Sequence, residues 1–375
     1  MENNELFEEI KEEQESYSDS SLYNINSFGN DLILKQVIDM YRDGDIEKPE
    51  LQRKYVWTRD EASRFIDSVL LGLPVPSVFL AKDKDNKLLI VDGYQRIMTV
   101  YDFFMGSFSG DGKPFKLSES ERIYKDWRGK SYQELSDQQK RFFRMYTIHA
   151  IVFEQKQPAD DSAMYQIFER LNTGGKVLRP QEIRNCVYHG PFNTMLVELN
   201  IEPVWRKVLG FSQEDQRMAD MELILRFFAF RDFETRSEKN LSQINLVNYL
   251  NEYMGKNRCI DSSSITNNKQ VFITVLSFLL SSIGEHVFRT CKTREDGSVV
   301  WAKKINPVIF DAVCTATMKW NLSNCVLSAD YTLEEKYKKL VLDKEFAEVI
   351  SQRTTNVENI NKRVSIAAKV LYGIE

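Results

Sequence analysis

The chain has 375 residues, of which 42% are hydrophobic and 28% charged, and a formal net charge of −5. That length accommodates two domains with a substantial core, the composition excludes wholesale disorder, and the acidic balance argues against a protein that coats nucleic acid non-specifically. The charge is uneven: residues 1–20 hold eight acids against one base, whereas the rest holds 49 bases against 47 acids.

Residues 1–25 read as an acidic flexible leader without the basic and apolar regions of a signal peptide. The longest apolar run, 271–283, falls short of a membrane helix, so a cytoplasmic protein with no membrane contact is expected. Five widely spaced cysteines (186, 259, 291, 314 and 325) fit reduced thiols, and the three histidines (149, 189 and 286) lack metal-ligand spacing, so no zinc site is expected.

A first helix is predicted over about 32–42, ending at Asp43-Gly44, and the segment 46–57 is extended by its proline, β-branched and aromatic content. Thr58 with Glu61 forms a capping box that opens a helix through Leu71. Val78–Ala81 and Leu88–Val91 read as a hairpin, and from Ile97 the apolar spacing becomes helical, with Ile97, Val100, Tyr101 and Phe104 on one face. Asp92-Gly93 therefore sits at a strand-to-helix junction. Gly93 admits backbone angles closed to other residues, the helix N-terminus that follows favours an anion, and Arg96 adds a cationic fork suited to phosphate. An alternative on the same residues is that Asp92 caps the helix and Arg96 pairs with a neighbouring acid.

Gly106–Lys116 is a loop, Ser136 caps a helix to about Arg144, and 146–153 alternates like a strand. Residues 113–146 hold nine bases against five acids, interleaved with Tyr124, Trp127, Tyr132, Phe142 and Phe143, which suits either a nucleic-acid surface or a solvated basic face. Helices are expected over 159–171 and from Pro180, and after about residue 190 over 192–199, 220–232, 241–255, 269–286, 307–321, 333–351 and 357–371, with a hairpin-like insertion at 288–304. Three domains result: the leader 1–25, a mixed domain 26–190 and a helical domain 191–375.

Pro49–Trp57, Ile90–Arg96 and Phe168–Gly175 with Gln181–Asn185 resemble, in order and spacing, the blocks of the DGQQR-motif domain. That domain is the N-terminal half of GmrSD-type modification-dependent restriction enzymes, within the ParB/sulfiredoxin-like superfamily, and the resemblance covers about residues 30–230. It implies an α+β fold with a small mixed sheet, a nucleoside triphosphate with Mg2+ at the DGQQR turn, DNA as a partner, and a role in restriction or anti-phage defence. Carried over by position, Asp92, Gln95 and Arg96 would be catalytic. Gln52, Arg53, Gly93, Tyr94, Thr99, Asn172, Thr173, Gly174, Gly175, Arg184 and Asn185 would line the nucleotide pocket. Tyr94 departs from the family's glutamine, which puts hydrolysis in greater doubt than binding. No HNH-type histidine pattern accompanies His286, so a nuclease step would fall to the motif domain or to a separate partner. No Walker lysine loop is present. Two other readings stay open: a ParB-like DNA-binding module or nickase that uses no nucleotide, and a regulatory partner with a degenerate pocket.

Overall fold

The computed structural model describes residues 7–8, 25–47, 55–82, 86–155, 165, 167, 179–188, 190–215, 217–233, 241–322 and 332–374. They fall into two compact units, one within 19–187 and one comprising 188–375 together with Phe7 and Glu8.

The first unit is built on a five-stranded mixed sheet, β1 Ile25–Ile33, β2 Ile46–Glu47, β3 Val78–Lys82, β4 Leu88–Asp92 and β5 Thr147–Gln155, in the order β1-β5-β3-β4-β2. β1 runs antiparallel to β5, β5 parallel to β3, β3 antiparallel to β4 and β4 parallel to β2. Helices α1 Leu34–Asp43, α2 Arg59–Leu70, α3 Tyr94–Met105 and α4 Asp137–Met145 also belong to it, as does the later helix over 180–187. Alternation along β3 to β5 places Val78, Leu80, Ile90, Ile148, Ala150 and Val152 in one core with Ile66, Val69, Ile97, Val100 and Phe103 from the helices. Both predicted caps form. Thr58 accepts the Glu61 N–H while Glu61 accepts that of Thr58, and Ser136 and Gln139 do the same at α4.

β1 was not anticipated. Its residues 26–31 are exposed and, apart from Phe28 and Gly29, polar, so they carry no buried alternation, and the strand is recruited by its ladder with β5. The first helix accordingly starts at Leu34, two residues later than its apolar pattern suggests.

The second unit is helical: α5 Pro180–Val187 leads towards it, and α6 Pro191–Asn200, α7 Pro203–Leu209, α8 Ala219–Arg231, α9 Leu246–Asn257, α10 Ser262–Ile283, α11 Pro307–Leu322, α12 Leu333–Leu342, α13 Lys344–Ser351 and α14 Val357–Tyr372 build it. α11 packs on α8 and α14, with Phe227, Phe228 and Phe230 buried. β6 Cys291–Thr293 and β7 Val299–Trp301 form the expected hairpin. The single helix expected over 333–351 is two, because Asp343 leaves the helical conformation and its carboxylate caps α13 through the Phe346 N–H. α7, too short for a clear period, was unread. In the acidic leader, Phe7 bridges Ile305, and Glu8 accepts hydrogen bonds from Asn306 and Thr290. No helix among the described residues is long and apolar enough to cross a membrane.

Candidate functional site

The turn between β4 and α3 is shaped by a bulge. Phe79 pairs with Asp92 but Leu80 with Ile90, so Val91 is the extra residue on β4 and Asp92 is turned outward at the strand's carboxyl end. Gly93 follows with φ of 101° as the N-cap of α3. A Cβ there would lie 2.6 Å from Val78 Cγ1, so both the backbone angle and the neighbouring strand require glycine. Since glycine brings no side chain to the helix start and the first bond within α3 is from Ile97 N–H to Gly93 O, the first-turn amides are directed out of the helix end.

Arg96 closes the turn by pairing with Asp92 one helical turn back. Its side chain is 13% exposed and that of Asp92 is 56% exposed. The carboxylate thus faces solvent while the guanidinium is held beside it, and Asp92 does not cap the helix. A positive helix end, an uncapped first turn and the guanidinium that Asp92 holds beside them are chemistry that suits a phosphate group, and an outward carboxylate is chemistry that suits a divalent cation.

Gln95 uses its side-chain carbonyl to hold the segment before α2. Oε1 accepts the N–H groups of Val56 (3.1 Å) and Trp57 (3.3 Å), fastening the segment that leads into α2 onto α3. Thr99 is fully buried, donates to Gln95 O and shares a 2.7 Å hydrogen bond with the Tyr55 hydroxyl. Tyr94 is 8% exposed and packs in the helix–sheet core, where burial pushes its phenol up to about 12. Tyr94 and Thr99 are thus buried side chains of α3, with Thr99 held against Tyr55.

Sequence reasoning missed Asp102, 3% exposed on α3. Its carboxylate accepts the backbone N–H (2.6 Å) and hydroxyl (2.9 Å) of Ser109; burial raises its pKa and these hydrogen bonds oppose the rise. The signal was available: Gln95, Thr99 and Asp102 recur at helical spacing, a polar stripe on an otherwise apolar helix.

Arg184 and Asn185 are carried on α5, both buried, with Arg184 Nε donating to Gln181 Oε1 at 2.8 Å. Gln52, Arg53, Asn172, Thr173, Gly174 and Gly175 lie outside the described residues. In the basic stretch 113–146, Trp127, Tyr132 and Phe143 belong to the core, with Trp127 Nε1 bonded to Asp67 at 2.7 Å. Of the five rings named above only Tyr124 and Phe142 are exposed, so most of its rings are not on the surface.

Residues 34–189 match the family described as the GmrSD restriction endonuclease, N-terminal domain, consistent with a domain of that type in this stretch. The match takes in all three motif blocks and leaves the helical unit outside it. No curated protein and no solved structure matches the chain.

Proposed function

We propose, on the premise that residues 34–189 form a GmrSD-type N-terminal domain, that the chain is a component of a bacterial restriction or anti-phage system acting on DNA, and that its 92–96 turn binds the phosphates of a nucleoside triphosphate with magnesium. The observation that carries the second half is the turn itself: left-handed Gly93 wedged against Val78, an uncapped helix start, and Arg96 held beside an outward Asp92. Phosphate oxygens would accept from Arg96 and the first-turn amides, and Asp92 would turn from Arg96 to the cation. A bound triphosphate would supply a hydrolysable phosphoanhydride. Gln95 is a positioning residue in this reading, since it fixes the backbone at 56–57. Tyr94 stands where the resembled motif has glutamine and brings no amide to the turn, which favours binding over rapid hydrolysis.

Thermal unfolding with ATP, GTP, CTP and UTP plus magnesium tests the site. The expected result is a selective rise of a few degrees for at least one nucleotide, lost in Arg96→Ala while the unliganded midpoint moves little. Phosphate released in the same tubes separates hydrolysis from sensing. Failure of every nucleotide, with tight DNA binding indifferent to triphosphates, would reject the nucleotide site and make the turn a ParB-like grip on a DNA phosphate.

A further inference from the structure

We propose that the helical unit carries a second site, remote in sequence from the 92–96 turn, that binds a nucleotide unit through its phosphate and its base together. It is a cleft of about 700 Å³, within the range of ordinary ligand pockets, framed by the C-terminal end of α7, the 285–289 turn and the end of β7.

Its charge is one-sided. Lys207 and Lys303 are exposed at its rim and make no ion pair among the described residues. Arg289 directs its guanidinium at the main-chain oxygens of Val208, Leu209, Glu285, Val287 and Lys303, so its position is fixed and no carboxylate pairs with it there. Arg206 is paired with Asp220 at 2.8 Å and adds little. Against these, Glu285 is the acid in the lining. Two free ammonium groups and one pinned guanidinium facing a single carboxylate favour an anion.

The cleft also supplies ring faces, which a site for inorganic phosphate would not need. Tyr337, fully buried and bonded through its hydroxyl to Arg289 O at 3.0 Å, stacks with Trp301 at 5.9 Å and 12°, and Trp301 stacks with His286 at 5.0 Å and 5°. The ladder runs from core to solvent and ends on exposed His286, with Phe211, 44% exposed, also in the lining. Rings beside unpaired cations are the combination that holds a base and its phosphate. The stretch 113–146 has the cations but keeps most of its rings in the core.

The same chemistry is met by a free nucleotide and by a nucleotide within a single strand, and one titration separates them. Anisotropy of a labelled single-stranded 12-mer on the full chain should show binding that weakens with salt. Lys207→Glu with Lys303→Glu should reduce affinity at least tenfold and flatten the salt slope by about 1.4, two phosphate contacts on a single strand, at unchanged melting temperature. His286→Ala should weaken binding less, and Arg96→Ala should leave it intact, which separates this site from the proposed nucleotide turn. Displacement of the 12-mer by millimolar mononucleotide identifies a free nucleotide as sufficient; resistance to it identifies a strand. Wild-type affinity and slope in the double variant, or binding of a phosphopeptide with no binding of either nucleotide probe, would overturn the proposal.

Discussion

Each unit contains a carboxylate held by arginine, and the two arrangements differ in what surrounds them. In the sheet unit Asp92 and Arg96 meet on one helical turn with the carboxylate more than half exposed. In the helical unit Asp311, 1% exposed, accepts Arg226 through two hydrogen bonds of 3.1 and 2.5 Å, and Arg363 stands 3.6 Å away with Nη1 on Thr354 O. Both guanidinium groups lie 5.7 Å from the Phe230 ring centre. Burial pushes Arg363 down to about 10, and Asp311 opposes that shift. The exposed Asp92 carboxylate can be exchanged for a ligand that brings its own negative charge to Arg96, whereas the buried trio tolerates no exchange because two cations would be left without a counter-charge. The same chemistry thus makes a candidate site in one unit and scaffold in the other.

The largest expected effect tests that contrast directly. Asp311→Asn should destabilise the helical unit by about 3–5 kcal/mol, the usual loss when one member of a buried ionic cluster is removed. The equivalent Asp92→Asn should cost less than about 1 kcal/mol, since a half-exposed pair is screened by solvent. Denaturant unfolding of both variants decides it, and similar losses would break the comparison.

An intermediate effect is expected at Gly93. Alanine there meets a left-handed backbone, worth about 1–3 kcal/mol, and overlap with Val78, of similar size. The site's shape would then rest on sterics more than on its ion pair. Adding Val78→Ala should relieve the overlap but not the backbone strain, so the double variant should be more stable than the sum of the singles allows. Strict additivity in denaturant unfolding would show that Val78 does not confine the turn.

Most of this frame was legible beforehand because local chemistry and tertiary packing agree in it. The Thr58–Glu61 capping box, the β3–β4 hairpin, the junction at Gly93 and the long helices each carry a short-range signal that the core then uses. β1 was not legible, since its exposed residues depend on a partner strand more than 100 positions away. At the site, Gly93 and the cationic fork could be read from residue type. Burial of Tyr94, the Gln95 clamp and Asp102 could not, because each depends on which segments distant in sequence the faces of α3 meet. The aromatic residues of 113–146 misled for the same reason: ring content does not reveal which rings face inward.

The smallest expected effect separates hydrogen bonding from burial as a source of electrostatic stabilisation. Glu134 lies on a single turn of 3-10 helix, Tyr132–Glu134, and its carboxylate is exposed, yet it is held down to about 2. The Ser131 backbone N–H contributes most, then the Ser131 hydroxyl, then Lys116. A carboxylate whose folded value is depressed stabilises fully above its ordinary value and loses that contribution as pH falls towards about 2. Glu134→Gln should therefore be slightly less stable than the parent at pH 6, and the gap should close progressively on acidification, measured as the difference in denaturant midpoint. A gap that stays constant with pH would mean that the ionised form has no advantage in the folded protein and that the Glu134 carboxyl is not held below its ordinary value. The contrast with Asp311 would then be sharper still, since burial alone would decide which charges hold the fold.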